Sequence, residues 1–267
     1  MIRVENFHKA YRDTAAVAGL TFEVGPGQVV GLLGPNGAGK TTTMRAIAGV
    51  IPPSSGRLVV AGHDIVGEPV AAKRQLAYVP DDPRLFDALT VWEHLRFTAA
   101  AYRVDAFEPR AETLLEQFEL TDKRDAPAQE LSRGMRQKVA ICCAYLYDPR
   151  AILFDEPLTG LDPRGIRTMK TSIAERARAG AAVVVSSHLL ALVEDLCTHL
   201  LILHRGRNLF CGPLDAARSA FAGMSGATPS GLPGDADASL EEVFFRATEG
   251  EPVQASAGMT NGPASGP

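Results

Sequence analysis

The stretch Gly34-Pro35-Asn36-Gly37-Ala38-Gly39-Lys40-Thr41-Thr42 has the Gly-x-x-x-x-Gly-Lys-Thr spacing, a pattern suited to holding phosphate. Glycines at 34, 37 and 39 let the backbone turn sharply and aim N–H groups inward. Those amides form a concave nest for anionic oxygens at a helix N-terminus, where the helix dipole adds positive potential. Lys40 can then reach the β- and γ-phosphates of a nucleoside triphosphate, and the Thr41 hydroxyl is placed to ligand Mg²⁺.

A second group of candidate residues lies far downstream. Ala151-Ile152-Leu153-Phe154-Asp155-Glu156 reads as an apolar strand ending in two acids. A carboxylate at the strand's exit suits Asp155 to hold Mg²⁺ through its water shell. Glu156 then stands beside the γ-phosphate as general base or orienter of the attacking water. Alone, such an ending also fits a strand that simply finishes in solvated acids. Before it comes Leu131-Ser132-Arg133-Gly134-Met135-Arg136-Gln137. Ser132 is a good N-cap and Gly134 permits close backbone approach, so this helix start could form a second anion site.

These groups need a sheet to hold them. Strands are expected at Arg3 to Phe7, Leu20 to Val24, Val29 to Leu33, Leu58 to Ala61, Leu76 to Val79, Ala151 to Phe154, Ala182 to Ser186 and Leu200 to Leu203. A helix is expected from Thr41 to Gly49, straight after the glycine loop. Alternation of strand and helix favours a largely parallel, covered sheet. Between Leu85 and Tyr147 the pattern turns helical only, with helices expected over Val91 to Ala101, Glu108 to Phe118 and Ser132 to Tyr147. After His204 the chain reads as less regular. Ser225 to Ala238 is rich in Gly, Ser, Pro and Asp, Ser239 to Thr248 reads as a short amphipathic helix, and Glu249 to Pro267 as a disordered tail.

In this order, the motifs resemble those of ABC-type ATPases, over roughly residues 1 to 220. Gly34 to Thr42 matches that family's Walker A loop, Ser132 to Gln137 its signature, and Ile152 to Asp155 its Walker B strand, with Glu156 as the catalytic carboxylate. Arg133 stands where the family often has Gly or another small or polar residue. The resemblance makes Tyr11 the aromatic that stacks on adenine, Leu158-Thr159-Gly160-Leu161-Asp162 the D-loop, and His188 the switch histidine at the γ-phosphate. Asp162 also reads as an N-cap for a helix starting at Pro163. The fold implied is an α/β P-loop NTPase with a RecA-like core, an N-terminal antiparallel β subdomain and a helical subdomain inserted at about 85–148. A C-terminal extension over 221–248 and the tail 249–267 follow.

One departure concerns the metal. Where many members carry a Gln that ligands Mg²⁺, this chain reads Tyr78-Val79-Pro80-Asp81-Asp82-Pro83, with Asp81 at the Gln position. A carboxylate can still approach Mg²⁺ directly or through water. The acid here, the run Leu85 to Leu95 and the closing Ser239 to Phe245 are similar to ATPase subunits of ABC-2-type exporters.

Composition narrows the partners. A net charge of −4 over 267 residues gives no global basic field for nucleic acid. The longest apolar runs fall well short of the roughly 20 residues of a membrane helix, and the start of the chain shows no signal-peptide core. Cys142, Cys143, Cys197 and Cys211 lack metal-site spacing and read as reduced, mostly buried thiols. The resemblance implies ATP and Mg²⁺ as cofactors, a second ATPase subunit that completes each site, identical or different, and a separate integral membrane permease. It implies a cytoplasmic protein, peripheral on the inner face of the cell membrane. The permease would dock near Asp81 to Phe86 and the helical insertion, where Leu85, Phe86 and Trp92 either form the groove or are buried within the helical subdomain. The competing class is a soluble ABC ATPase acting on ribosomes, DNA or protein complexes, which typically carries two cassettes or a long insertion.

Overall fold

Alternating burial early in the chain and unbroken burial further on produce two kinds of sheet. The computed structural model describes residues 1–12, 14–187 and 190–222. The chain runs through β1 (Ile2–Tyr11), β2 (Thr14–Val24), β3 (Val29–Leu33), α1 (Lys40–Ile47), β4 (Ser55–Val60), β5 (His63–Asp64), α2 (Pro69–Arg74) and β6 (Leu76–Val79). It continues with α3 (Val91–Tyr102), α4 (Glu108–Gln117), α5 (Arg133–Leu146), β7 (Ala151–Asp155), α6 (Pro163–Arg178) and β8 (Ala182–Ser186). Then come α7 (Leu190–Leu196), β9 (His199–His204), β10 (Arg207–Pro213) and α8 (Leu214–Ala222).

Among the described residues one sheet is antiparallel, in the order β2-β1-β4-β5. The other has the order β10-β9-β3-β8-β7-β6 and is parallel apart from β10. In β3, β7 and β8 every residue is buried, as expected of strands covered on both faces. Their side chains divide by parity. Val29, Leu33, Ile152, Phe154, Val183 and Val185 join the apolar residues of α3 to α6 in one core. Val30, Leu32, Leu153 and Val184 join those of α1 and the antiparallel sheet in another.

Between β6 and β7 the regular elements are helical. Thr90 opens α3 with a reciprocal cap: its hydroxyl accepts from the Glu93 amide at 3.1 Å, and Glu93 accepts from the Thr90 amide at 2.8 Å.

Three expectations change. The first two strands extend to Tyr11 and back to Thr14, because their polar outer halves still pair with each other through irregular registers. The region after His204 is regular as far as 222. β10 returns antiparallel along β9 through His204-Arg205-Gly206-Arg207, with φ of 47° at Arg205 and 77° at Gly206, the positive pair of a tight hairpin turn. Its apolar run, Leu209-Phe210-Cys211, is only three residues long and partly exposed, which hid it. Short elements at His63–Asp64 and Pro69–Arg74 were also below the length at which periodicity speaks. His188 and the segments 223–248 and 249–267 lie outside the described residues. No helix among the described residues is long and apolar enough to cross a membrane.

Candidate active site

Strand β3 delivers the chain into the glycine loop, and α1 carries it away. Gly39 caps α1 at φ 104°, and a Cβ there would lie 2.7 Å from the Ala16 carbonyl, so only glycine fits. Gly37, at φ 79°, has nothing within 4 Å of an added Cβ, and the loop's tip at Pro35 to Gly37 is exposed. The loop is therefore braced behind and open in front. The brace includes a residue that sequence reading missed: the Gly206 amide donates to the Ala38 carbonyl at 3.0 Å, and the Gly206 carbonyl accepts from Ala18 at 2.8 Å. The Arg205-Gly206 pair between two strand-like runs was the available signal.

Lys40 lies over this loop. Its ammonium donates to the carbonyls of Gly34 at 2.6 Å and Pro35 at 3.2 Å. Burial lowers its pKa, while the carboxylates of Glu156 and Asp155 work in the opposite direction. Lys40, Asp155 and Glu156 are thus brought into one electrostatic group. Thr41 is exposed on the first turn of α1 and Thr42 is half-buried beside it.

Asp155 ends β7 almost fully buried, at 5% exposure. Its two oxygens are held separately: Ser186 Oγ donates to Oδ1 at 2.5 Å, and the Tyr78 hydroxyl donates to Oδ2 at 3.4 Å. Ser186 is opposite Asp155 in the β7–β8 register, which a sequence cannot display. Burial and the Asp155 charge push the Tyr78 phenol up to about 12, although Arg45 hydrogen-bonds it. Glu156 follows with φ 51°, a left-handed conformation uncommon for a non-glycine residue. Its amide is fixed by Ser186, with the carbonyl at 3.1 Å and Oγ at 3.2 Å.

The signature turn occupies other neighbours. Ser132 caps α5, accepting from the Met135 amide at 3.3 Å. Gly134 packs so tightly that an added Cβ would be 2.5 Å from the Gly160 carbonyl. Arg133 Nη2 donates to Asp81 Oδ1 at 2.9 Å, so the candidate metal ligand Asp81 is engaged by the signature arginine. Asp162 caps α6 through Gly165 at 3.1 Å and lies 4.0 Å from Lys138 Nζ. Tyr11, at the end of β1, is 47% exposed, with the Lys9 ammonium 5.1 Å from its ring centroid.

The donor set suits a magnesium nucleotide. A hydroxyl at Thr41 and a carboxylate at Asp155 would offer hard oxygen donors, few in number, as in sites where the substrate phosphates complete the shell. The open nest at Gly37 with Lys40 alongside suits the phosphates.

A groove of about 680 Å³ opens between the loop after β6 and helices α3 and α5. Asp82, Leu85, Phe86, Phe97 and Tyr102 are among its lining residues. Phe86 and Phe97 are more than half exposed and meet edge to face at 5.5 Å. Trp92 does not line it: the indole packs against Phe107 at 5.5 Å with the Arg124 guanidinium 3.8 Å above its ring.

The profile of the ABC transporter family matches residues 17–159. The chain is 34% identical to the ABC-type transporter ATP-binding protein EcsA of Bacillus subtilis, over 93% of this chain and 97% of the relative. It is 35% identical to the Nod factor export ATP-binding protein I of Cupriavidus metallidurans, over 78% of this chain and 70% of the relative. A solved structure described as the ATP binding subunit of an ABC transporter superposes with a TM-score of 0.84 at 35% identity, covering 92% of this chain and 99% of that one. With its fold and its sequence both aligned nearly end to end with such subunits, this chain belongs to the ABC transporter family as an ATP-binding, ATP-hydrolysing subunit.

Proposed function

We propose that two copies of the chain meet head to tail around ATP and Mg²⁺, and that their closing and reopening drive a separate membrane permease in the export direction. The observation carrying this reading is the separation of two anion sites within one chain. Lys40 groups with Asp155 and Glu156, while Ser132 accepts from the Met135 amide and Gly134 packs against Gly160. A second copy would supply the missing half.

In this reading the loop amides and Lys40 hold the β- and γ-phosphates, and Tyr11 stacks on the adenine. Thr41 and Asp155 would hold the metal, with Asp81, whose Oδ1 accepts from Arg133, as the third candidate. When bound, magnesium neutralises charge on the phosphate oxygens. Glu156 accepts the proton of the attacking water from a backbone whose amide is fixed on Ser186. His188 hydrogen-bonds the γ-phosphate. Ser132, Gly134 and Asp162 of the other copy close the site.

The groove beside Phe86 and Phe97 is the docking surface proposed for the permease, which would hold the chain on the inner face of the membrane. Export is supported by the relative named for Nod factor export. The test is sedimentation of the Glu156→Gln chain with and without MgATP. A dimer that forms only with ATP, and is lost again in Lys40→Ala, is expected; a chain monomeric throughout would overturn the shared site.

A further inference from the structure

Helix α5 begins against its own dipole. Its first turn carries no acid, yet Arg133, Arg136 and Lys138 all fall in its first two turns, at the end that favours negative charge. Each cation meets an acid from another segment. Arg133 pairs with Asp81 at 2.9 Å, Arg136 with Asp87 at 3.6 Å, and Lys138 with Glu119 at 3.6 Å and Asp162 at 4.0 Å.

The first pair differs from the rest in position. Asp81 lies in the loop that leaves β6, whose next residues, Asp82 to Phe86, line the groove. Arg133 sits between Ser132 and Gly134. The Cγ and Cδ of Arg133 also run along Gly160, 3.6 and 3.4 Å from where its Cβ would be. One side chain therefore touches the groove loop, the signature turn and the turn before α6. Both partners are about half exposed, 53% and 48%, so the pair contributes little to stability. A weak, solvent-reached contact between three turns suits control of their relative placement.

We propose that Arg133 is a positioning residue: through Asp81 it sets the angle at which Ser132 and Gly134 are presented to the other copy, coupling that angle to the groove loop. This inference rests on the shared site proposed above. It concerns placement of the signature turn and assigns Arg133 no contact with nucleotide.

The experiment is a double-mutant cycle in the Glu156→Gln background, reading the ATP concentration for half-maximal dimerisation. Asp81→Asn and Arg133→Gln should each raise that concentration about 5-fold, and the double variant should be no worse than the worse single one. Arg133→Lys should recover most of the loss. The single-variant effects should fade at 1 M NaCl, where an exposed pair is screened. Arg133→Gln should keep the parent's melting temperature and its affinity for a fluorescent ATP analogue as a monomer. Single-variant effects that multiply in the double, or dimerisation indifferent to the pair, would overturn the inference alone. So would a variant that melts early or fails to fold, which would make the pair a stability element. A Glu156→Gln chain that never dimerises overturns the shared site and this inference together.

Discussion

Ser186 Oγ donates to Asp155 Oδ1 at 2.5 Å, and the same hydroxyl receives the Glu156 amide at 3.2 Å. One side chain of β8 thus holds the Asp155 carboxylate and the Glu156 backbone at the end of β7. A hydrogen bond to a buried charge is worth about 1.5–3 kcal/mol. Ser186→Ala should lower the melting temperature by about 4 °C or more. It should also raise the Mg²⁺ concentration needed for half-maximal ATP hydrolysis, since Asp155 loses its fixed orientation. An unchanged magnesium dependence would count against Asp155, held by Ser186, as the proposed metal ligand.

Gly134→Ala places a methyl group 2.5 Å from the Gly160 carbonyl. Overpacking of this kind costs about 1–3 kcal/mol, and here the turn before α6 has to move. Turnover should fall about fivefold or more, the scale of that cost when it enters the barrier. Binding of a fluorescent ATP analogue to the monomer should persist, because Lys40 and its loop are not touched. Full ATPase activity in this variant would remove the Gly134–Gly160 contact from the closing surface.

Tyr78 predicts a pH dependence. Its phenol is raised in the folded chain from 10.0 to about 12 by burial and by Asp155. A raised folded value means that the stability linked to its proton is whole below pH 10 and drains away as pH climbs towards 12. Urea denaturation at pH 9 and 11.5 should show a larger loss for the native sequence than for Tyr78→Phe. Parallel losses in the two proteins would count against the shift. The comparison between variants matters because burial also raises Tyr145 and Tyr147.

His94 anchors the groove from below. It is 5% exposed; its Nε2 accepts from the Phe86 amide at 3.0 Å and its Nδ1 donates to the Thr90 carbonyl at 2.7 Å. Replacing it with Leu leaves the Phe86 amide without its acceptor, at a cost of about 1–3 kcal/mol. The melting temperature should drop by several degrees, and permease-stimulated ATPase should fall more than the basal rate. Equal losses in both rates would argue that Phe86 does not serve docking.

What could be read from the chain alone was what is local. Gly34 to Thr42 carries its geometry in adjacent residues, and β3, β6 and β8 were bounded correctly from unbroken apolar runs. Ser132 announced its cap because the acceptor and the amide it serves are three residues apart. Pairings over long separations were invisible. Asp81 was read as a metal candidate because of its place in a motif, whereas its bond to Arg133 spans 52 positions. Ser186 belonged to an ordinary strand until the β7–β8 register put it opposite Asp155. For Trp92 the sequence leaves groove and helical interior open, and packing against Phe107 under the Arg124 guanidinium decides for the interior. Strand β10 escaped because its burial alternates weakly and only pairing with β9 defines it.

The parity of the parallel strands makes the sheet a partition between two mechanical compartments. Leu153 and Phe154 are neighbours in sequence, yet the first is packed with α1 and the antiparallel layer and the second with the helices around α5. A void opened at one would soften the nucleotide side, and at the other the side bearing the signature turn. The two interiors can therefore be loosened one at a time, so a cavity on the helical face of β7 leaves the packing behind the phosphate loop closed.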